Sequence, residues 1–262
     1  MIYLTVNERP VTVPAGARLL QAVRAAGVVL PTLCYHEGLA PYGACRLCMV
    51  TLTSPPPAKL VAACVHPAAA GMIVNTETPE AVASRRLAVE LLLSRCPQSE
   101  VIKNLAAAMG VRESRFPVTP AQGEMDLCVL CGLCVRVCQE AIGASAIGFV
   151  GRGGNRKVST PFELHSEACL GCGACAEICP TGAIRVEDKG PVRILHTWHT
   201  QVKLYPCPRC GRFFAPQAMA FLPEQFPESE SFWRLCPTCR QQQTARQWVQ
   251  QHKLTRTGSR SD

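Results

Sequence analysis

The chain has 262 residues, 18% of them charged and 6% aromatic, with 21 Pro, 19 Gly and 17 Cys. So few aromatics and so much turn chemistry argue against one large apolar core, and for small modules stapled by something other than hydrophobic burial. The formal net charge of +8 names no partner by itself. The start, Met1–Pro10, is too polar for a signal peptide, and no run approaches about 18 apolar residues, so neither secretion nor membrane insertion is expected. An odd cysteine count without a leader disfavours a disulfide framework, which leaves a cytoplasmic chain whose thiols are metal ligands.

In chain order, Ile2–Val6 alternates as a strand, Asn7–Pro10 reads as a turn, and Val11–Val13 resumes the strand before Pro14. Arg18–Ala26 is a short amphipathic helix closed by Gly27. Residues 1–80 therefore read as a β-grasp domain. Its cysteines run Cys34-x10-Cys45-x2-Cys48-x15-Cys64, on loops, with the small residues Gly43 and Ala44 before Cys45. Such a loop suits an exposed metal–sulfide surface, and the arrangement fits a 2Fe–2S cluster better than a zinc finger, although it departs from the C-x4-C-x2-C spacing. Pro55–Pro57 reads as a rigid loop. His66, two residues after Cys64, is read as a surface or capping histidine rather than a cluster neighbour. Residues 81–120 form a helical connector holding the isolated Cys96.

Residues 121–190 carry the strongest signal. Cys128-x2-Cys131-x2-Cys134-x3-Cys138 and Cys169-x2-Cys172-x2-Cys175-x3-Cys179-Pro180 are two copies of the cubane 4Fe–4S run. In that run the fourth cysteine of each motif crosses to the other cluster. One cluster is expected on Cys128, Cys131, Cys134 and Cys179, the other on Cys169, Cys172, Cys175 and Cys138. Gly132, Gly171 and Gly173 let the backbone approach sulfide. Zinc in each half is the weaker reading, since zinc does not need this rhythm twice. Gln139, not Pro, follows the first motif. Gly151–Arg156 (GRGGNR) lacks a phosphate-loop pattern and reads as a turn.

Residues 191–262 hold Cys207-x2-Cys210-x25-Cys236-x2-Cys239, two C-x2-C knuckles that suit a structural zinc, or a single iron. Phe213, Phe214, Phe221, Phe226, Phe232 and Trp233 are available as a small core, and Thr244–Lys253 is a polar helix candidate. The fold class is α+β: a β-grasp 2Fe–2S domain, a helical connector, a bacterial-type double 4Fe–4S ferredoxin domain and a zinc-ribbon-like module.

Cys34, Cys45, Cys48 and Cys64, then LAVELLLSRCP, MDLCVLCGLCVRVCQE, GFVGRGG and ACLGCGACAEICPTGAI, resemble in order the iron–sulfur subunits of NADH dehydrogenases and NAD-linked hydrogenases. The likeness covers about residues 1–190: the front end of the large iron–sulfur subunit of complex I, and equally the small diaphorase subunit of NAD-linked NiFe hydrogenases. It implies a non-catalytic electron-transfer subunit in a hetero-oligomer. Electrons would pass between a flavin/NAD(P)H-binding subunit and a catalytic hydrogenase or formate dehydrogenase subunit. The same family has a cluster with one His and three Cys ligands after LLLS. Here Cys96 stands where the His would be and the partner cysteines are missing, which implies that this cluster is lost and that Cys96 is a buried small hydrophobe. CGRFFAPQAMAFLPE is similar to the four-cysteine extension of ferredoxin subunits of formate-hydrogenlyase-type complexes. The alternative is an iron–sulfur and zinc regulator that binds nucleic acid. Dispersed basic residues without interleaved aromatics speak against it.

Overall fold

A two-residue turn with both residues left-handed, Asn7 (φ 46°) and Glu8 (φ 67°), folds β1 (Ile2–Val6) back onto β2 (Arg9–Val13). That turn matches the right-handed twist of the strands. It uses only two residues, so β2 begins at Arg9 rather than Val11, and Pro10 pairs with Thr5. A proline is tolerated there because β2 is an edge strand. The computed structural model describes residues 1–118, 126–216 and 234–256.

The chain divides into two units, Met1–Glu163 with Ala174–Arg185, and Leu164–Gly173 with Val186–Asp262. In the first, β3 (Met49–Ser54), β4 (Lys59–Ala62) and β5 (Ile73–Asn75) complete a five-stranded sheet of order β2-β1-β5-β3-β4, with β1 and β5 parallel. Helix α1 (Leu19–Ala25) lays Leu19, Leu20, Ala22 and Val23 on this sheet against Leu4, Val6, Val13, Val50, Leu52 and Val74. Each such buried Val or Leu is worth about 1.5–3 kcal/mol, which makes this the main core of the unit.

Helix α2 (Pro79–Arg95) starts at an N-cap, Thr78, whose hydroxyl accepts from Ala81 N (3.2 Å), with Pro79 at its first position. Helix α3 (Glu100–Ala108) packs back on it. Between them they bury Val89, Cys96, Ile102 and Ala106, together with Leu33 and Leu47 from the loop that carries Cys34, Cys45 and Cys48. Two short helices, α4 (Leu133–Arg136) and α5 (Ala174–Glu177), lie within the two cysteine motifs and carry Cys134 and Cys175. Strands β6 (Gly148–Val150) and β7 (Lys157–Ser159) form an antiparallel hairpin, so GRGGNR is the turn that its sequence suggests.

In the second unit, β8 (Val186–Lys189), β9 (Val192–Leu195), β10 (Thr200–Pro206) and β11 (Phe213–Pro216) form an antiparallel sheet of order β11-β10-β9-β8 over buried Leu195, Trp198 and Leu204. Helix α6 (Pro237–Arg256) is longer than Thr244–Lys253 because it starts at Pro237, a residue preset for a first helical position. The expected core residues Phe221, Phe226, Phe232 and Trp233 lie outside the described residues. No described helix is long and apolar enough to cross a membrane.

One buried cation ties α2 to the sheet. Arg85, 6% exposed, donates to Met49 O (3.0 Å) and Thr76 O (2.6 Å), and lies 3.5 Å from Glu77. Arg85→Met keeps the bulk and leaves both carbonyls without a donor. At about 1–3 kcal/mol per stranded group, a loss of about 2–6 kcal/mol is expected. Far-UV circular dichroism should show it as a lower urea midpoint, and an unchanged midpoint would refute the tether.

Candidate metal centres

The first quartet is positioned by a hairpin and a helix end. The β3–β4 register sets Met49 opposite Ala62, so Cys48, just before β3, and Cys64, just after β4, emerge side by side. Ala63 N donates to Cys48 O (3.0 Å), and Cys64 N to Cys48 Sγ (3.5 Å). The first N–H groups of α1, which have no partner within the helix, are taken by the same loop: Leu19 N donates to His66 O and Leu20 N to Ala63 O, both at 2.9 Å. Arg18 adds a bond from Nη1 to Val65 O (3.0 Å). Cys34 and Cys45 come from the irregular loop before β3, where Arg46 is left-handed (φ 57°) and Cys45 N donates to Cys34 Sγ (3.5 Å). His66 Nδ1 lies 2.9 Å from Pro67 O, which fits the capping reading.

Cys34 meets Cys45 and Cys64, Cys64 also meets Cys48, and these thiols divide charge unequally. Hydrogen bonds from the Cys45 and Cys64 side chains hold Cys34 down to about 2 against the opposing effect of burial. The Cys64 thiol likewise holds Cys48 to about 7. The protons stay on Cys45 and Cys64, pushed far up by the thiolates they donate to. Cations bound among these sulfurs would displace the remaining protons.

Cys128, Cys131, Cys134 and Cys179 line one cavity, walled by Val129, Val158, Ala183 and Ile184. Cys179 thus comes from the second motif to join three residues of the first. Burial raises the three first-motif thiols in this cavity, Cys131 to about 11. Gly132, left-handed at φ 71°, opens α4, and a Cβ there would come within 3.1 Å of the Phe149 ring and 3.2 Å of Tyr42. Two aromatic rings crowd this position, and its left-handed backbone favours glycine. Ala183 N donates to Cys179 Sγ (3.3 Å), and Ala146 N to Cys138 Sγ (3.3 Å). Cys138 lies on a π-turn, Val137–Ala141.

Of the other expected cubane ligands, Cys138 and Cys175 lie in the first unit and Cys169 and Cys172 in the second. There Arg193, in a bidentate pair with Asp188, donates to Gly171 O (3.1 Å) and Cys172 O (3.5 Å). Gly171 is left-handed (φ 66°), and a Cβ on it would lie 2.2 Å from Val202 Cγ2.

Cys96 is fully buried; its Sγ donates to Cys128 O (3.3 Å), the carbonyl that also accepts from Arg95 Nε (2.9 Å). Burial pushes the Cys96 thiol up to about 12, so it stays protonated. The sequence reading missed the arginines that hold these loops: Arg18, Arg95, Arg136 and Arg193. Their only signal is position, Arg95 beside Cys96 and Arg136 between Cys134 and Cys138.

In the second unit the sulfurs of Cys207, Cys210, Cys236 and Cys239 all lie within 4.8 Å of one another. A tetrahedral site with Zn–S bonds of about 2.3 Å has S–S edges of about 3.8 Å, and Cys210 and Cys236 are 3.6 Å apart. Burial opposes ionisation of Cys207, but backbone N–H groups of Cys236, Cys210 and Arg209 outweigh it and bring the thiol down to about 6. Burial and then the neighbouring thiols push Cys239 up to about 12. Phe214 packs on this cluster beside Leu235. The donors fit one tetrahedral metal ion.

Comparison with known proteins agrees with this geometry. Residues 1–79 match the 2Fe-2S iron-sulfur cluster binding domain, and residues 127–183 the 4Fe-4S dicluster domain. The chain is 33% identical to an NADH-quinone oxidoreductase subunit of Rhizobium meliloti, over 80% of this chain and 27% of that protein. It is 32% identical to the mitochondrial NADH dehydrogenase (ubiquinone) iron-sulfur protein 1 of Solanum tuberosum, over 62% of this chain and 24% of that one. The chain thus spans about a quarter of the length of the curated relatives it matches. Among solved structures, it is similar to an NAD+-reducing NiFe-hydrogenase in the H2-reduced state. The TM-score is 0.54 and the identity 29%, over 61% of this chain and 74% of the hydrogenase chain. The chain therefore carries a 2Fe–2S cluster-binding domain followed by a 4Fe–4S dicluster domain, and its homologues are the iron–sulfur subunits of NADH dehydrogenases.

Proposed function

We propose that the chain is an electron-transfer subunit of a larger oxidoreductase complex. It would relay electrons between a flavin/NAD(P)H-binding subunit and a catalytic subunit of hydrogenase or formate dehydrogenase type. The observation that carries this reading is one apolar cluster in which Cys34 and Cys45 of the first quartet pack with Cys131 of the second, through Leu39, Leu133 and Val129. Two candidate metal centres sharing a dry protein wall are suited to passing electrons without admitting a substrate. The relatives named for NADH and hydrogenase chemistry support the choice of partners.

In this reading Cys34, Cys45, Cys48 and Cys64 hold a 2Fe–2S cluster. Cys128, Cys131, Cys134 and Cys179 hold one 4Fe–4S cluster, and Cys138, Cys169, Cys172 and Cys175 a second. Cys207, Cys210, Cys236 and Cys239 hold zinc, with a single iron as the alternative. Bound clusters supply one-electron redox chemistry at potentials set by charge, hydrogen bonds to sulfur and exposure. The chain's own contribution is to hold the sulfurs, aim N–H groups at them and exclude water. Zinc has no redox couple and would only fold the second unit's knuckles.

Anaerobic metal analysis should give about ten irons and about one zinc per chain, from one 2Fe–2S cluster, two cubanes and one tetrahedral site. Cys239→Ser should lose the zinc and keep the irons; loss of a rubredoxin-like iron signal would overturn the zinc. The isolated chain should not oxidise NADH, and appreciable activity would overturn the relay. For Cys96→Ser, unchanged iron content and reduced-state EPR spectra are expected, since a hydroxyl can also donate to Cys128 O. Disappearance of one cluster signal would make Cys96 a ligand.

A further inference from the structure

Arg85 and Arg136 are the two buried arginines among the described residues, and Arg85 has Glu77 beside it. Arg136, 8% exposed, is joined to no carboxylate by any ion pair among the described residues. Glu140, one turn further on, is exposed, and its Oε2 accepts from Ala40 N (2.7 Å). The guanidinium reaches across to the β-grasp loop, donating from Nη2 to Cys34 O (2.6 Å) and from Nη1 to Ala40 O (2.5 Å). Its carbon lies 5.2 Å from the centre of the Tyr42 ring, and its Nε is buried with no protein acceptor.

A buried cation facing only carbonyls and a ring is costly unless negative charge lies close by. Arg136 holds the Cys34 carbonyl, and Cys34 with its three companion thiols can carry that charge: four thiolates and two bridging sulfides on two ferric ions leave a net negative charge that grows on reduction. The first motif's own sulfurs lie along the same chain segment, but the donor ends of Arg136 point at the Cys34 loop.

We propose that Arg136 is the positioning residue that sets the reduction potential of the centre held by Cys34, Cys45, Cys48 and Cys64. Its fixed positive charge favours the reduced, more negative state, and its bonds to Cys34 O and Ala40 O lock the ligand loop against the cubane motif. The inference rests on reading that quartet as a 2Fe–2S site. A charge so placed raises the potential, because in a medium of low dielectric a unit charge acts strongly over a few ångströms.

The test is an EPR-monitored redox titration of the anaerobic full-length chain. R136Q should retain its iron and show the 2Fe–2S midpoint shifted to more negative potential, with smaller shifts in the cubanes. R136K, which keeps the charge, should stay near wild type. E140Q, which keeps the acceptor for Ala40 N but removes a negative charge, should shift the same midpoint upward, and less, since Glu140 is exposed and screened. An unmoved midpoint in R136Q, or equal shifts in R136Q and R136K, would overturn the proposal. If R136Q loses the cluster, E140Q decides, and an unmoved midpoint there also overturns it. A wild-type chain with no 2Fe–2S signal would instead overturn the cofactor reading beneath it.

Discussion

Backbone N–H groups aimed at sulfur recur at every candidate centre. Cys45 N faces Cys34, Cys64 N faces Cys48, Ala146 N faces Cys138, Ala183 N faces Cys179, and Cys236 N faces Cys207, all at 3.3–3.5 Å. An N–H turned to sulfur is lost to a helix or a sheet ladder, so the loops must be irregular. Arg46, Leu130, Gly132 and Ser145 accordingly adopt left-handed conformations around the cysteines. The strain is local and is held by what surrounds it.

Turning N–H groups to sulfur leaves carbonyls without backbone partners, and a buried carbonyl must be met. Arginine side chains from other elements meet many of them. Arg18 holds Val65 O beside Cys64, Arg136 holds Cys34 O, Arg95 holds Cys128 O, and Arg193 holds Gly171 O and Cys172 O. The planar fork with its five donors suits this task, since it spans two carbonyls at once and cannot lose its charge. The same bonds that satisfy the loops place positive charge beside groups that become anionic when metal binds.

This division of labour explains what was legible in the sequence. Cysteine spacing of two or three residues is a local property, and Cys128 to Cys134 could be grouped at sight, as could the paired knuckles at Cys207 and Cys236. The β1–β2 hairpin and α1 also rest on local pattern, and only the strand start at Arg9 was misplaced, because a two-residue turn was read as four. Arg85, Arg95, Arg136 and Arg193 gave no such signal. Among 27 Lys and Arg residues, what distinguishes them is a carbonyl many residues away, 102 residues in the case of Arg136 and Cys34. The second unit's sheet was missed as well: its strands are short, and most of their positions are exposed or partly so.

The α2–α3 hairpin follows the same logic. With one cysteine it has nothing with which to hold a cluster of its own, yet its apolar face is complete: Val89, Cys96, Ile102 and Ala106 are each at most 2% exposed. What they cover is Leu33 and Leu47, the neighbours of Cys34 and Cys48, and Val129, the neighbour of Cys128. Two residues at the end of α2, Arg95 and Cys96, then converge on Cys128 O. The hairpin is thus a buttress common to two ligand loops. A thiol suits position 96 because it is small and apolar enough for the core, protonated at any ordinary pH, and still able to donate one weak hydrogen bond. An alanine there would keep the packing and leave Cys128 O to Arg95 alone, whereas a histidine would need room that Val89, Ile102 and Leu47 already fill. On this account the hairpin's packing is by itself sufficient reason for its presence.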